Sequence, residues 1–463
     1  MNGSMKSLEP DIFDSFELRG RWWLPERPDD RVHGTLSFSS NGIRLRLDET
    51  FTNPAVNHPF WAAGFRPECI LGFTVEEECC TLYKSFCSRI GATQEFLGNA
   101  LLRGEHFAHA SDLLVTGALV EFTNLVEWVD LTLIAQEPGA TPDHFRLLIP
   151  TSTKRLFTVR ETSPFRELTL ILGSQISLAA EGVSAERRSH FDLHFLHPLP
   201  FPEAEEIIGQ LGILVSVLQG ENAYANRIRF RIAGPEGRAR SLELFRVPRG
   251  SKPAIRSAHD MTMSFTQLSG DAACVFGAWF LNANQLDPVY DLLASSLSPS
   301  RHSVRTRFLL LAQAIESFHR RVLGGTYVSV AAYQPVHQAI AAAIPGNLES
   351  AFRSRIKDSL RYAYQYSLRT RLKALLKTLT VATKAVIIPG KEADFVDLVV
   401  NVRNYLTHYD ESTALSLVHD AIGMHNLNEQ VRALLTILLL RQMGLSEEKA
   451  AGAVNQNFYL PNR

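Results

Sequence analysis

The sequence predicts an α+β protein, with an antiparallel β-rich N-terminal domain of sandwich or barrel type followed by a C-terminal all-α bundle. Three observations predict it. Short alternating runs broken by Gly, Pro and Asn fill the first 180 residues, apolar residues recur every three or four positions from about residue 303, and the charge changes sign near residue 300. Of 47 Lys+Arg and 48 Asp+Glu, residues 301–463 hold 20 and 12, a net charge of +8, which leaves −9 upstream. A chain of 463 residues, 45% of them hydrophobic, has material for two or three domains. The expected organisation is a β-rich region over 1–180, a mixed α/β continuation or connecting region over 181–300, and a helical domain over 301–463.

The β assignment starts at 35–38 and 43–47, two alternating runs that flank Ser39-Ser40-Asn41-Gly42, a strong hairpin signal. Further strands are expected at 70–75, 113–120, 145–149, 156–160 and 168–172, with few helical segments between them. Past residue 200, Ile207, Ile208, Leu211, Leu214, Val215 and Leu218 recur at helical spacing, and 227–232 alternates basic and apolar residues as one more strand. Beyond 303 the spacing of Phe308, Leu311, Ile315, Phe318 and Val322 predicts a long amphipathic helix, and Pro345-Gly346 and Pro389-Gly390 punctuate the helices after it.

Several function classes lose support. The apolar run 433–440 falls well short of the roughly 18 residues a membrane span needs, and the first residues lack a basic-then-apolar leader pattern, so a soluble cytoplasmic protein is expected. Five unevenly spaced cysteines without a Cys-x-x-Cys pair argue for reduced, mostly buried thiols. No Walker loop, strand-linked Gly-x-Gly-x-x-Gly, His-Glu-x-x-His or Gly-x-Ser-x-Gly occurs. His190, His194 and His197 form a histidine cluster, but His190, Asp192 and His194 alternate with Phe191, Leu193 and Phe195 as on a half-exposed strand, so no metal site and no cofactor is expected.

The sharpest chemical signal is Arg403-Asn404-Tyr405-Leu406-Thr407-His408, on a helix expected to start after Pro389-Gly390. With 15 His and 37 Arg in the chain, about one such Arg-to-His spacing arises by chance, so its context carries the inference. Phe395, Val399, Val402 and Leu406 form one apolar stripe, while Arg403, Asn404, Thr407 and His408 fill a polar arc of about 140°. A guanidinium grips a phosphate through two parallel hydrogen bonds, and an imidazole exchanges a proton near neutral pH. Together they suit phosphodiester cleavage; a helix surface that carries Arg and His by chance is the competing explanation.

Upstream, Arg353, Arg355, Lys357, Arg361, Arg369, Arg371 and Lys373 face only Asp358 as an opposing charge and are interleaved with Tyr362, Tyr364 and Tyr366. Cations for phosphates and rings for unstacked bases are what single-stranded RNA requires, although tyrosines packed in a helical core explain the pattern equally well. Glu316 shares a polar line with Gln313 and Arg320 and would join Arg403 and His408 if the two helices are neighbours.

The segment 403–408 resembles the signature of HEPN domains, an Arg followed after four to six residues by His, with Asn directly after the Arg. The helix around Arg307 to Arg320 resembles the opening helix of the ApeA-type HEPN domain. Gly20-Arg21-Trp22-Trp23-Leu24-Pro25, His33-Gly34-Thr35-Leu36-Ser37-Phe38 and Phe122-Thr123-Asn124-Leu125-Val126-Glu127-Trp128 resemble the ApeA N-terminal domain. The resemblance implies a HEPN fold for the helical part and a metal-independent endoribonuclease of bacterial anti-phage defence, acting by abortive infection. It implies a homodimer formed through the HEPN domain, host or phage RNA (tRNA among them) as substrate, and a phage-derived trigger. On this resemblance Arg403 and His408 form the catalytic pair, with Asn404 accessory and Glu316 a further candidate. HEPN toxins silenced by nucleotidylation carry a Tyr two places after the His, where this chain has Asp410, so that control is not expected here. The alternative is a catalytically silent HEPN scaffold or RNA-binding module whose β domain engages a protein partner.

Overall fold

The computed structural model describes residues 10–51, 65–132, 135–138, 145–148, 152–179, 182–233, 239–297, 302–408 and 420–457. The chain divides into two compact units, Met1–Leu281 and Asn282–Arg463, the first β-rich and the second helical.

The strands of the first unit are β1 Phe16–Trp23, β2 Val32–Ser39, β3 Gly42–Leu47, β4 Cys69–Thr74, β5 Cys79–Ile90, β6 Gln94–Arg103, β7 Leu114–Phe122, β8 Ala135–Pro138, β9 Phe145–Leu148, β10 Lys154–Thr162, β11 Phe165–Ala179, β12 Gly182–Pro200, β13 Ala225–Ala233 and β14 Ala239–Arg246. Among the described residues they are joined by the α-helices α1 Leu125–Val129, α2 Phe201–Gln219, α3 Phe265–Leu268 and α4 Ala272–Leu281. The β2–β3 hairpin follows from its sequence, since Ser39 pairs with Gly42 across a two-residue Ser40-Asn41 turn and β3 buries every second side chain.

Strands β6, β3, β2, β1, β4 and β5 run in that order, and β5 pairs back onto β6, closing a six-stranded barrel. β6 is the branch point. Its residues Gln94 to Gly98 pair with β3 and Ala100 to Arg103 with β14, so the sheet leaves the barrel through β14, β13, β7, β12, β11 and β10. Leu36, Phe38, Ile43, Leu45, Ile70, Leu82 and Phe96 fill the barrel around Trp22, whose indole donates to Gly34 O at 3.2 Å. Gly72 is required beside Trp22, because a Cβ there would stand 2.3 Å from the indole ring. On the extension, one face is apolar, with Val120, Phe191, Leu193 and Phe230 buried. Helix α2 packs against β7 and β12, and Phe276 of α4 lies against Phe157 and Phe191. The opposite face carries charged side chains.

The second unit contains α5 Ala283–Ser296, α6 Val304–Val322, α7 Val330–Ala343, α8 Ser350–Leu360, α9 Leu368–Lys377, α10 Val381–Ile387, α11 Glu392–His408, α12 Ala421–Gln442 and α13 Glu447–Asn457. Helix α6 starts at Ser303, whose hydroxyl accepts from Thr306 N, and buries Phe308, Leu311, Ile315 and Phe318. It packs against α5, α9, α11 and α12. Helix α12 buries an unbroken run from Leu427 to Val431 and from Ala433 to Leu440, as expected of a helix at the centre of a bundle. Helices α7 and α8 have no fully buried residue, and half-buried Tyr333 of α7 donates to Leu360 O of α8 at 2.6 Å. They form an excursion whose base is closed by a bridge between Thr326 and Gln365. No helix among the described residues is long and apolar enough to cross a membrane.

Candidate active site on the helical unit

Helix α11 begins past Pro389-Gly390, with Glu392 and Asp394 in its first turn, where negative charge complements the helix dipole. Lys384 holds Glu392 at 3.0 Å. The predicted stripe is the buried side: Phe395, Val399, Val402 and Leu406 are all under 6% exposed. That burial fixes the opposite arc toward solvent. Asn404, Thr407 and His408 are exposed and Arg403 is half-buried. The Arg403 guanidinium donates from Nη1 to Asn404 Oδ1 at 3.2 Å, and Thr407 Oγ1 donates to Arg403 O at 2.7 Å. Asn404 therefore steers the guanidinium. His408 is the last described residue of α11, so Tyr409 and Asp410 lie outside the described residues.

Helix α6 is a neighbour of α11, and its Glu316 is bonded within α6. Arg320 Nη2 donates to Glu316 Oε1 at 3.1 Å, and Arg320 Nη1 donates to Gln365 Oε1 at 2.7 Å. Among the described residues no hydrogen bond joins Glu316 to Arg403 or His408, nor Arg403 to His408. One copy of α11 thus offers a phosphate grip and a proton carrier on one surface, about 140° apart around the axis.

The basic stretch divides into three groups. Arg355, Lys357, Arg361 and Lys373 are exposed, and Arg361 lies over the Tyr362 ring at 5.5 Å. Arg353 and Arg369 are partly engaged: Arg353 donates to Gly346 O at 3.3 Å, and Arg369 forms an ion pair with Asp397 of α11. Arg371 departs from its expected place on the RNA-facing surface. It is 1% exposed, because the carbonyls of Gly324, Gly325 and Tyr366 and the imidazole of His319 receive its guanidinium. Burial on the α9 face with Leu372, Leu375 and Leu376 is tolerated because each of the three guanidinium nitrogens finds an acceptor. Gly325, at φ +115°, belongs to this cluster, and a Cβ there would stand 2.6 Å from the Tyr366 ring. The sequence hides this role, since two of the three receiving carbonyls lie 46 and 47 residues upstream.

Tyr362 is exposed, whereas Tyr366 packs on Tyr327 with ring centroids 4.8 Å apart and Tyr364 on Tyr333 at 5.3 Å. In the β-rich unit His190, His194 and His197 lie on β12. Among the described residues no group of three His, Cys, Asp or Glu side chains stands close enough to hold a metal.

The family model for ApeA N-terminal domain 1 matches residues 17–279, more than half of the chain. That for Apea-like HEPN matches residues 309–449, which includes α11 and its Arg403 and His408. No curated protein and no solved structure matches the chain.

Proposed function

The chain belongs to the ApeA family, with an ApeA N-terminal domain followed by an Apea-like HEPN domain, and from that premise we propose that it is an endoribonuclease of bacterial anti-phage defence. The observation that carries the reading is the arrangement on α11: inside the HEPN match, burial of the Phe395 to Leu406 stripe turns Arg403 and His408 toward solvent. The substrate supplies its own nucleophile. His408 takes a proton from a ribose 2′-hydroxyl, the 2′-oxygen bonds to the adjacent phosphorus, and the bond to the 5′-oxygen breaks as that oxygen takes a proton from solvent. Arg403 places two donors against the charge that grows on the phosphorane oxygens, and Asn404 holds the guanidinium in register. No step calls for a metal ion.

Two copies of α11 related by a two-fold axis bring one chain's His408 toward the other's Arg403, so the working unit in this reading is a homodimer formed through the helical domain. The β-rich unit, with its opposite net charge, serves as the restraint that a phage-derived trigger lifts.

The test is product analysis with purified protein. Wild type is expected to leave 2′,3′-cyclic phosphate ends in the presence of EDTA, and His408→Ala to lose cleavage while keeping its melting curve. Equal cleavage by His408→Ala, 3′-hydroxyl ends, or loss of activity on chelation would each overturn the assignment.

A further inference from the structure

The charged face of the sheet extension holds a cavity of about 270 Å³, lined by β7, β11, β12, β13 and β14. Its charges are not balanced. Arg227 pairs with Glu121 at 3.6 Å and Arg229 with Glu243 at 2.9 Å, each across neighbouring strands. Arg188 is the third arginine of the lining, and among the described residues no ion pair or hydrogen bond engages its guanidinium. Across the β11–β12 ladder it faces Gly173, which has no side chain to meet it. His190, two residues along the same strand, shares that face; burial, ahead of the opposing pull of Asp192, holds its imidazole below the ordinary histidine value.

Two further features describe what the cavity would receive. Asn226 Oδ1 is buried in the lining without a hydrogen-bond partner, an acceptor that wants a donor. Leu119, which shares a face of β7 with Glu121, supplies an apolar wall that suits a flat ring. The volume lies just under the roughly 300 Å³ at which ordinary ligand pockets begin, which suits a ligand no larger than a single nucleotide and excludes an oligonucleotide. We infer that this cavity binds a small ring-bearing anion of the nucleoside monophosphate class, with its phosphate on Arg188 and a base N–H on Asn226 Oδ1. The site lies wholly within the β-rich unit and stands whether or not the helical unit cuts RNA. It gives that unit a way to answer a change in nucleotide pools.

The experiment is calorimetric titration of the full chain with AMP, GMP, CMP and UMP, beside adenosine, phenyl phosphate and inorganic phosphate. At least one nucleoside monophosphate is expected to bind at submillimolar concentration, more tightly than any of the three fragments. Arg188→Ala should weaken it about 10- to 100-fold, as the loss of a charge-assisted hydrogen-bond pair requires, and Arg188→Lys should recover part of the loss. Asn226→Ala should erase the preference over phenyl phosphate. Absence of binding by wild type in the millimolar range, unchanged affinity in Arg188→Ala with an unaltered melt, or adenosine or inorganic phosphate binding as tightly as the nucleotide would each overturn the inference.

Discussion

Replacing Arg371 with Met should destabilise the helical unit although the substituted side chain is unbranched and more apolar. Arg371 Nε donates to Tyr366 O at 3.1 Å, Nη1 to Gly324 O at 2.9 Å and to His319 Nδ1 at 3.0 Å, and Nη2 to Gly325 O at 3.3 Å. Hydrogen bonds from a charged donor contribute about 1.5–3 kcal/mol each in isolation. They do not add, and Gly324 is exposed, so its freed carbonyl finds water. The expected loss is therefore about 2–4 kcal/mol, the range for removing one partner of a buried polar cluster. With a urea dependence of about 2 kcal/mol per molar, the midpoint of the helical unit falls by about 1–2 M. Amide exchange at Gly325, Tyr366 and Arg371 locates the loss, because a two-unit chain need not unfold in one step. Arg355→Met, at an exposed position of α8, is the control and should stay within about 0.5 kcal/mol of wild type. Equal shifts for the two variants would refute the clamp.

Three further outcomes are expected. Joint replacement of Arg355, Lys357 and Arg361 with Glu should weaken RNA binding and lower its salt slope by up to about 2, at about 0.7 per lost single-strand phosphate contact, read by filter binding. Burial first, and then the Arg371 charge, lowers the pKa of His319 from 6.5, so the stability contributed by its neutral form is full above pH 6.5 and is lost as pH falls through the lower folded value; a melt at pH 7 that exceeds one at pH 5.5 by less in His319→Gln than in wild type would show it. Mixing inactive His408→Ala and Arg403→Ala under subunit exchange should restore partial cleavage, and full inactivity of a mixture shown by light scattering to hold mixed dimers would remove the shared site.

What the sequence discloses follows the range of the interactions. The β2–β3 hairpin and the buried faces of α6 and α11 are set by neighbours within a few residues, so period and turn residues suffice to read them. The closure of β5 on β6 and the fork of β6 between β3 and β14 join segments far apart in the chain, and no local pattern announces them. The same limit separates the cations. Arg355 and Arg371 look alike in a basic run, yet Arg371 is withdrawn because a turn formed by Gly324 and Gly325 offers it carbonyls. The alternation of Arg227, Arg229 and Arg231 is visible in the sequence, but the cavity that Arg227 and Arg229 border exists only once β7 and β14 flank β13 and β12 lies beyond β7.

The withdrawal of Arg371 changes what the basic stretch can do. Helices α7 and α8 have no fully buried residue, so their placement rests on the base of the excursion. That base includes the Thr326–Gln365 bridge, the Tyr327–Tyr366 and Tyr333–Tyr364 ring pairs and the Arg371 clamp. Exposed Arg355 and Lys357 are carried on this arm, whereas Arg371 secures it from beneath. Two different losses of RNA affinity should then be separable. Removing the carried cations releases fewer counterions and flattens the salt dependence. Loosening the clamp leaves the same cations to meet the same phosphates, so Arg371→Met should weaken binding with the slope unchanged, the cost being the ordering of the arm. A slope that falls in Arg371→Met as it does in the triple variant would mean that Arg371 itself meets phosphate, and the clamp would have to open for RNA to bind.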